Sequence, residues 1–435
     1  MTEFGPASRI VIVGGSIAGL TATRELRAGG FRGALTVVDR DPQSPYRRPE
    51  VSKKLLTDQI RGRSRLTWPA ELQVELVREG VEALDLPRRS LTLAGRTAVA
   101  TLTFDGLVIA SGARARKPAF CAGRGESGAG GAGGAGGAGG GGGGTGDNVH
   151  FLRTASDAAR LRPALAGCRR LCVVGGGLIG LEVAALAASL GKQVVVVEAA
   201  PLPMLGVLGA EPAAALLRML EARGVAFRLG ATVTGIAHGA DSEGRGDRSS
   251  SVQLASEEDI AADVVLIAVG AAPETGWLEG NGLDLTDGVR CDEHCAVIGA
   301  AGVSAAGVVA CGDVASWFNP LLRRQMRVEH WTNAIEQGSY AARRLLGAHP
   351  QNGFASLPYF WSDQADLKLQ LLGSTEGHDE VAVLESGAAT LVAEYRSHGR
   401  LLAVAGINAG PAVMARRPDI AAAYQQRALA DIGLA

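Results

Sequence analysis

L-C-V-V-G-G-G-L-I-G-L-E-V-A-A-L-A-A-S-L-G-K-Q-V-V-V-V-E, residues Leu171 to Glu198, reads as strand, glycine turn, helix and strand. Leu171 to Val174 is a short apolar run, the pattern of a strand buried on both faces. Gly175, Gly177 and Gly180 give G-x-G-x-x-G. In that spacing the first glycine makes the turn, the second admits a pyrophosphate, and the third lets the helix pack on the strand. Leu181 to Leu190 continues as an Ala/Leu-rich helix, and Gly191 ends it. Val194 to Val197 is the second strand, closed by Glu198, where a carboxylate can take ribose hydroxyls.

Arg9 to Asp39 repeats the pattern. The turn is Gly14-x-Ser16-x-x-Gly19, with serine at the middle position, and Asp39 is the terminal acid. Ser44 to Leu56 holds Pro45 and Pro49 and reads as an ordered loop entering a helix near Ser52. Val81 to Leu86 and Ser90 to Leu93 read as strands of a meander. Phe104 to Gly112 and Asp263 to Gly270 are buried strands that exit on glycine, and Gly307 to Asp313 is one more. Between them, Ala122 to Gly146 is almost pure Gly and Ala and reads as a flexible tether. A polar hairpin is expected at Asp241 to Arg248. Asn333 with Glu336 suggests a capping box, with a helix from there to about Leu346. Beyond Leu357, strands at Val381 to Leu384, Thr390 to Tyr395 and Leu401 to Ile407 precede a helical end.

The expected fold is therefore α/β. A dinucleotide-binding unit at 147–270 is inserted in another at 1–118 and 271–350, with the tether at 119–146 and an α+β domain at 351–435. The 435 residues are 47% hydrophobic and 20% charged, enough to bury several cores, and the net charge of −1 argues against a general nucleic-acid binder. No charged leader precedes a long apolar core, and no apolar run reaches membrane-spanning length, so a cytoplasmic protein is expected. The six cysteines form no C-x-x-C and complete no zinc site; they read as buried or incidental thiols.

Finer motifs carry a resemblance. R-R-P-E-V-S-K-K-L-L (47–56), F-L-R-T (151–154), V-V-G-G-G-L-I-G-L-E-V-A-A (173–185), V-E-H-W-T-N-A-I-E-Q-G (328–338) and P-Y-F-W-S-D-Q (358–364) together resemble the NADH-dependent ferredoxin reductases of oxygenase systems. These are FAD-containing proteins with two dinucleotide folds. The resemblance covers the chain except the tether. It implies FAD in the first fold and NADH in the inserted one. Gly14, Ser16, Ala18 and Gly19 match the FAD phosphate turn and Asp39 its ribose acid. Asp313 matches a ribityl contact, Arg153 an arginine along FAD, and Trp331 and Thr332 the flavin pyrimidine edge. Lys53 matches a lysine beside flavin N5, Glu182 its ion-pair partner, and Trp361 a tryptophan facing a docked iron–sulfur protein. Val81 and Gly270 complete the implied cofactor-binding set, with Gly175, Gly177, Gly180 and Glu198 on the NADH side.

The sequence departs from the family's pattern at Ser16, Glu50, Val51 and Ser111, where Gly, Pro, Leu and Thr are commoner. The missing cysteine pairs argue against dithiol relay chemistry. No arginine follows Glu198 in A-A-P to take a 2′-phosphate, which favours NADH. Arg323, Arg324, Arg327, Arg343 and Arg344 form a candidate basic rim for an acidic ferredoxin. A monomer or homodimer is expected. Two alternatives stay open: an NADH oxidase or small quinone/radical reductase, and a signalling flavoprotein resembling apoptosis-inducing factor.

Overall fold

The computed structural model describes residues 4–57, 64–95, 100–121, 148–238, 250–299 and 301–431. The Gly/Ala stretch and the hairpin expected at Asp241 to Arg248 lie outside the described residues.

Two parallel sheets repeat one plan. In the first, Val74–Val77, Ala34–Val38, Arg9–Val13, Gly106–Ile109 and Ser304–Ala310 lie side by side, all parallel. Four more short strands extend this sheet to nine. In the second, the order is Val225–Leu229, Gln193–Glu198, Arg170–Val174, Val264–Ile267 and Val149–Phe151, again parallel. Each sheet has a three-stranded antiparallel meander beside it, at Val81–Asp85, Ser90–Leu93 and Ala100–Thr103, and at Val233–His238, Ser250–Leu254 and Asp259–Ala262. The central strands carry the continuous apolar runs seen in the sequence. Ile10, Ile12, Leu107 and Ile109 are fully buried, as are Val173 and Val265. Burying each such side chain contributes about 1.5–3 kcal/mol.

The second unit is inserted in the first. Its entry and exit segments, Ala113–Ala115 and Ala271–Pro273, pair as a two-stranded antiparallel ribbon. The helix expected from Leu181 begins earlier, spanning Leu178–Ser189, and its counterpart in the first unit spans Ile17–Ala28. Gly19 and Gly180 therefore sit inside the first helical turn, and the helix starts next to the middle residue of each glycine motif. The helix expected from Asn333 begins at Trp331 and runs to Leu345, with His330 as N-cap. The capping box does not form. Asn333 is buried, and Glu336 accepts instead from Ser356 Oγ at 3.2 Å.

The chain ends in a five-stranded antiparallel sheet ordered Tyr359–Gln364, Leu367–Gly373, Arg400–Ile407, Leu391–Ser397 and Glu380–Ser386. Helices Gly410–Ala415 and Arg417–Asp431 follow. F-W-S-D-Q is thus a strand with alternating burial, which its mixture of aromatic and polar residues obscured. No described helix is long and apolar enough to cross a membrane.

Candidate functional site

The two glycine turns are built alike. Gly14 and Gly175 both have φ +108°. A Cβ on Gly14 would lie 2.1 Å from the Ala110 carbonyl oxygen, and one on Gly175 2.4 Å from that of Ala268. On Gly19 and Gly180 a Cβ would come within 1.9 and 2.2 Å of the carbonyl oxygens of Gly14 and Gly175. These four glycines are required by the protein's own packing. Gly177 differs: nothing lies within 4 Å of the position its Cβ would take. Protein packing leaves room there, as a ligand's phosphate needs.

The terminal acids brace these turns. Asp39 accepts from the Gly15 amide at 2.9 Å and the Asp41 amide at 3.0 Å. Glu198 accepts from the Gly176 amide at 2.6 Å and the Ala200 amide at 2.8 Å.

A cavity of about 690 Å3 opens where the first turn faces the inserted unit and the C-terminal sheet. This is the crevice at the carboxyl ends of the strands, where open α/β sheets bind ligands. Gly14, Ser16, Ala18, Asp39, Lys53, Arg153, Glu182, Asp313, Trp331 and Trp361 all line it. Ten residues whose roles the resemblance implies thus share one cavity, whereas Gly19, Gly175, Gly177, Gly180 and Glu198 are not among its lining. Thr332 instead donates to the Tyr359 carbonyl at 3.0 Å, tying the helix start to the C-terminal strand. Val81 sits at the head of the first meander and packs against the first core. Gly270 turns the chain at φ +93° into the exit ribbon, its carbonyl accepting from Arg116. Neither is a lining residue of the cavity.

At one end of the cavity Lys53 Nζ stands 3.2 Å from Glu182 Oε1 and 3.1 Å from Asp363 Oδ2. Glu182 also accepts from the Ser52 hydroxyl, from Ser362 Oγ at 2.7 Å and from the Asp363 amide at 3.3 Å. Burial works against the Lys53 ammonium, but Glu182 and Asp363 outweigh it and raise its pKa above 10.5. Burial pushes the Glu182 carboxyl up, against the pull of Lys53, Ser52 and Ser362. Both shifts are upward, with opposite effects on charge: at Lys53 two carboxylates outweigh burial and favour the ammonium, whereas at Glu182 burial outweighs the single cation and disfavours the carboxylate.

Further along, Arg153 is ion-paired with Asp313, and its Nε donates to the Ala113 carbonyl at 3.0 Å. The two residues expected to contact one cofactor also hold each other across the seam between units. His330 lines the cavity with its ring 5.0 Å from Phe360. Burial lowers its pKa to about 4 despite Asp313 nearby, so it is neutral at physiological pH. Among the described residues its Nδ1 has no hydrogen-bond partner, nor has Nε2 of His150, which also lines the cavity. Two orphaned ring nitrogens in one cavity fit a ligand with hydrogen-bonding edges. With the Ser16 hydroxyl making no cap hydrogen bond at the start of its helix, the lining fits a flavin dinucleotide, while the Gly177 clearance lies at the second turn, outside this lining, and leaves room there for a nicotinamide dinucleotide's phosphate.

Ser52, His330, Ser362 and Asp363 carry no role in the sequence reading, although each lies inside a quoted motif. Asp363 was the most accessible of them: it follows Trp361 by two, and residues two apart on a strand share a face. The expected basic rim is not free. Arg324 is ion-paired with Glu376, Arg327 with Asp287 and Glu329, and Arg343 with Glu25. The Nε of Arg344 is buried without a hydrogen-bond partner among the described residues. All six cysteines are free, five of them buried. Burial pushes the thiols of Cys172 and Cys311 up to about 12, which leaves no thiolate for relay chemistry.

Comparison with known proteins agrees with this architecture. Residues 8–338 match the pyridine nucleotide-disulphide oxidoreductase family, and residues 359–433 match the reductase C-terminal family. The ferredoxin–NAD(+) reductase component of the anthranilate 1,2-dioxygenase system of Burkholderia cepacia is 32% identical over 424 residues, covering 96% of this chain and 95% of that protein. The rubredoxin-NAD(+) reductase of Ectopseudomonas oleovorans is 31% identical, covering 86% of this chain and 89% of its own. Among solved structures, the covalent putidaredoxin reductase–putidaredoxin complex superposes with a TM-score of 0.83 at 28% identity, covering 96% of this chain and 94% of that one. With its glycine turns, inserted unit and terminal sheet all accounted for, the chain belongs to the pyridine nucleotide-disulphide oxidoreductase family and ends in a reductase C-terminal domain.

Proposed function

We propose that this protein is an NADH-dependent, FAD-containing ferredoxin reductase. It takes hydride from NADH and passes single electrons to a ferredoxin-type iron–sulfur protein that serves an oxygenase. The observation that carries this reading is the Lys53–Glu182 ion pair at the end of a cavity lined by the first glycine turn and by Trp361. The relatives named as ferredoxin and rubredoxin reductases cover nearly the whole chain, which supports an iron–sulfur acceptor over a small molecule.

FAD, when bound, supplies the conversion of a two-electron donor into one-electron steps. The chain's residues do the rest. Gly14, Ser16, Ala18 and Gly19 would hold the pyrophosphate against the start of the helix Ile17–Ala28, whose dipole favours the anion. Asp39 would take adenosine ribose hydroxyls while keeping its grip on the turn. Arg153 and Asp313 would lie along the flavin chain. The helix start at Trp331 would stabilise negative charge at the pyrimidine edge, beside a neutral His330. Lys53, kept charged by two acids, would favour electron density at the reacting face. Gly175, Gly177 and Gly180 would cradle the nicotinamide dinucleotide. Glu198, with no basic residue in the A-A-P run after it, supports NADH over NADPH.

Trp361 stacks near Tyr359, ring centroids 6.1 Å apart, on the outer strand of the C-terminal sheet. That supports an exit for electrons on this side. With Arg324, Arg327 and Arg343 engaged by the chain's own carboxylates, docking rests on this aromatic edge rather than on a strip of free arginines.

The test is NADH-driven reduction of candidate ferredoxins and rubredoxins, scored as cytochrome c reduction. Turnover that needs an added iron–sulfur protein supports the proposal. Equal turnover with quinone or oxygen alone sinks it.

A further inference from the structure

Lys53 is met by two carboxylates, and they belong to different parts of the chain. Glu182 comes from the helix of the inserted unit, Asp363 from the first strand of the C-terminal sheet, and Lys53 from the loop of the first unit. Their surroundings differ. The Glu182 side chain is 6% exposed and saturated by Ser52, Ser362 and the Asp363 amide. The Asp363 side chain is 38% exposed, and its second oxygen lies 3.9 Å from Lys368 Nζ. One carboxylate balances an ammonium. The second adds negative charge that Lys368 only partly offsets. Asp363 also shares a strand face with Trp361, which lines the cavity.

We propose that Asp363 is a positioning residue that tunes the flavin through Lys53. It holds the ammonium and offsets its charge, so that bound FAD is more reducing than the Lys53–Glu182 pair alone would leave it. This rests on the flavin reading above. An unopposed ammonium beside the isoalloxazine favours the electron-rich reduced form; a carboxylate on the same ammonium weakens that preference. The outcome suits a reductase whose electrons must leave for an iron–sulfur partner.

The test is the reduction potential of FAD on the purified holoprotein, measured against reference dyes. Asp363→Asn should shift the ratio of reduced to oxidised flavin at fixed poise about threefold to tenfold toward reduced. Tenfold is about 30 mV for a two-electron couple. Asp363→Glu should restore most of the wild-type value. Lys368→Met, which strips the competing ammonium from Asp363, should move the ratio the other way by a smaller factor. In a Lys53→Met background, Asp363→Asn should have no further effect. An unchanged potential in Asp363→Asn overturns the proposal. So does an equal shift with Lys53 absent, because Asp363 would then act on the flavin directly. A wild-type chain that takes up no FAD overturns the functional reading and this proposal together. A chain that binds FAD but is indifferent to Asp363 overturns this proposal alone.

Discussion

Lys53 and Glu182 are joined at 3.2 Å although one leaves a loop of the first dinucleotide unit and the other a helix of the second. Glu182 is the fifth residue of that helix, one turn beyond the glycines that would hold NADH. Glu182→Gln keeps the shape but removes the charge. We expect flavin reduction by NADH to slow by at most about a hundredfold, the lower end of the roughly hundredfold to thousandfold scale of losing one aimed electrostatic group, because Glu182 acts through Lys53, with NADH affinity unchanged. Stopped-flow traces at several NADH concentrations separate the two; a raised dissociation constant with an unchanged limiting rate would refute this role. The raised pKa of Lys53 sets the pH window. Its ammonium is fully present below lysine's ordinary 10.5 and is lost only as pH climbs through the higher folded value. The limiting rate should therefore stay flat through neutral and mildly alkaline pH.

Gly19 and Gly177 separate what the fold needs from what a ligand needs. A methyl on Gly19 meets the Gly14 carbonyl oxygen at 1.9 Å, whereas one on Gly177, at the ordinary φ of −83°, meets nothing. Gly19→Ala should lower thermal stability and leave the protein colourless. Gly177→Ala should keep wild-type melting and full flavin content but bind NADH at least several-fold more weakly. Isothermal titration with NADH checks this, and wild-type NADH affinity would mean the second turn does not hold the pyrophosphate.

The framework of the fold was legible because both units announce themselves locally. Ile10 to Val13 and Leu171 to Val174 are unbroken apolar runs, and each meets glycines whose spacing has one geometric use. Insertion of one unit in the other followed from the two strands that exit on Gly112 and Gly270. What stayed hidden depends on contacts distant in sequence. Asp363 reads as a polar residue on a C-terminal strand until that strand is laid beside Lys53. The arginine rim looked free because its partners, Glu25, Asp287, Glu329 and Glu376, are mostly far along the chain. The capping box at Asn333 failed for a related reason: tertiary burial claimed the side chain before the helix end could use it.

Glu394 offers a check on the C-terminal sheet that does not involve the cavity. Its carboxylate is almost fully buried between Arg416, at 2.7 Å, and Arg396. Burial alone would raise its pKa, but hydrogen bonds from Arg416 and Arg396 outweigh that and hold it below the usual carboxylate value. A depressed acid contributes stability that is present above its unfolded pKa and lost as pH falls through the folded one. Glu394→Gln should cost about 1.5–3 kcal/mol at pH 7, the range for hydrogen bonds to charged groups. The gap to wild type should narrow as pH drops below about 4.5. Urea titrations at pH 7 and pH 4 give both numbers, and a gap independent of pH would remove the carboxylate from the account.

The proposed preference for NADH rests on Glu198. Its two oxygens brace the turn through the Gly176 and Ala200 amides, and the same carboxylate would accept ribose hydroxyls and repel a 2′-phosphate. The following Ala199, Ala200 and Pro201 bring no positive charge. Glu198→Arg reverses the local charge, and the ratio of kcat/KM for NADPH to that for NADH should rise at least tenfold. Part of the NADH loss would come from the unbraced turn, since two amides lose their acceptor at about 1 kcal/mol each. Glu198→Gln separates the charge from the bracing: it carries no charge, and its one carbonyl oxygen can keep one of the two amide bonds. If Glu198→Gln improves NADPH use while Glu198→Arg improves it further, discrimination is electrostatic. If neither changes the ratio, the ribose lies elsewhere and the preference for NADH fails with it.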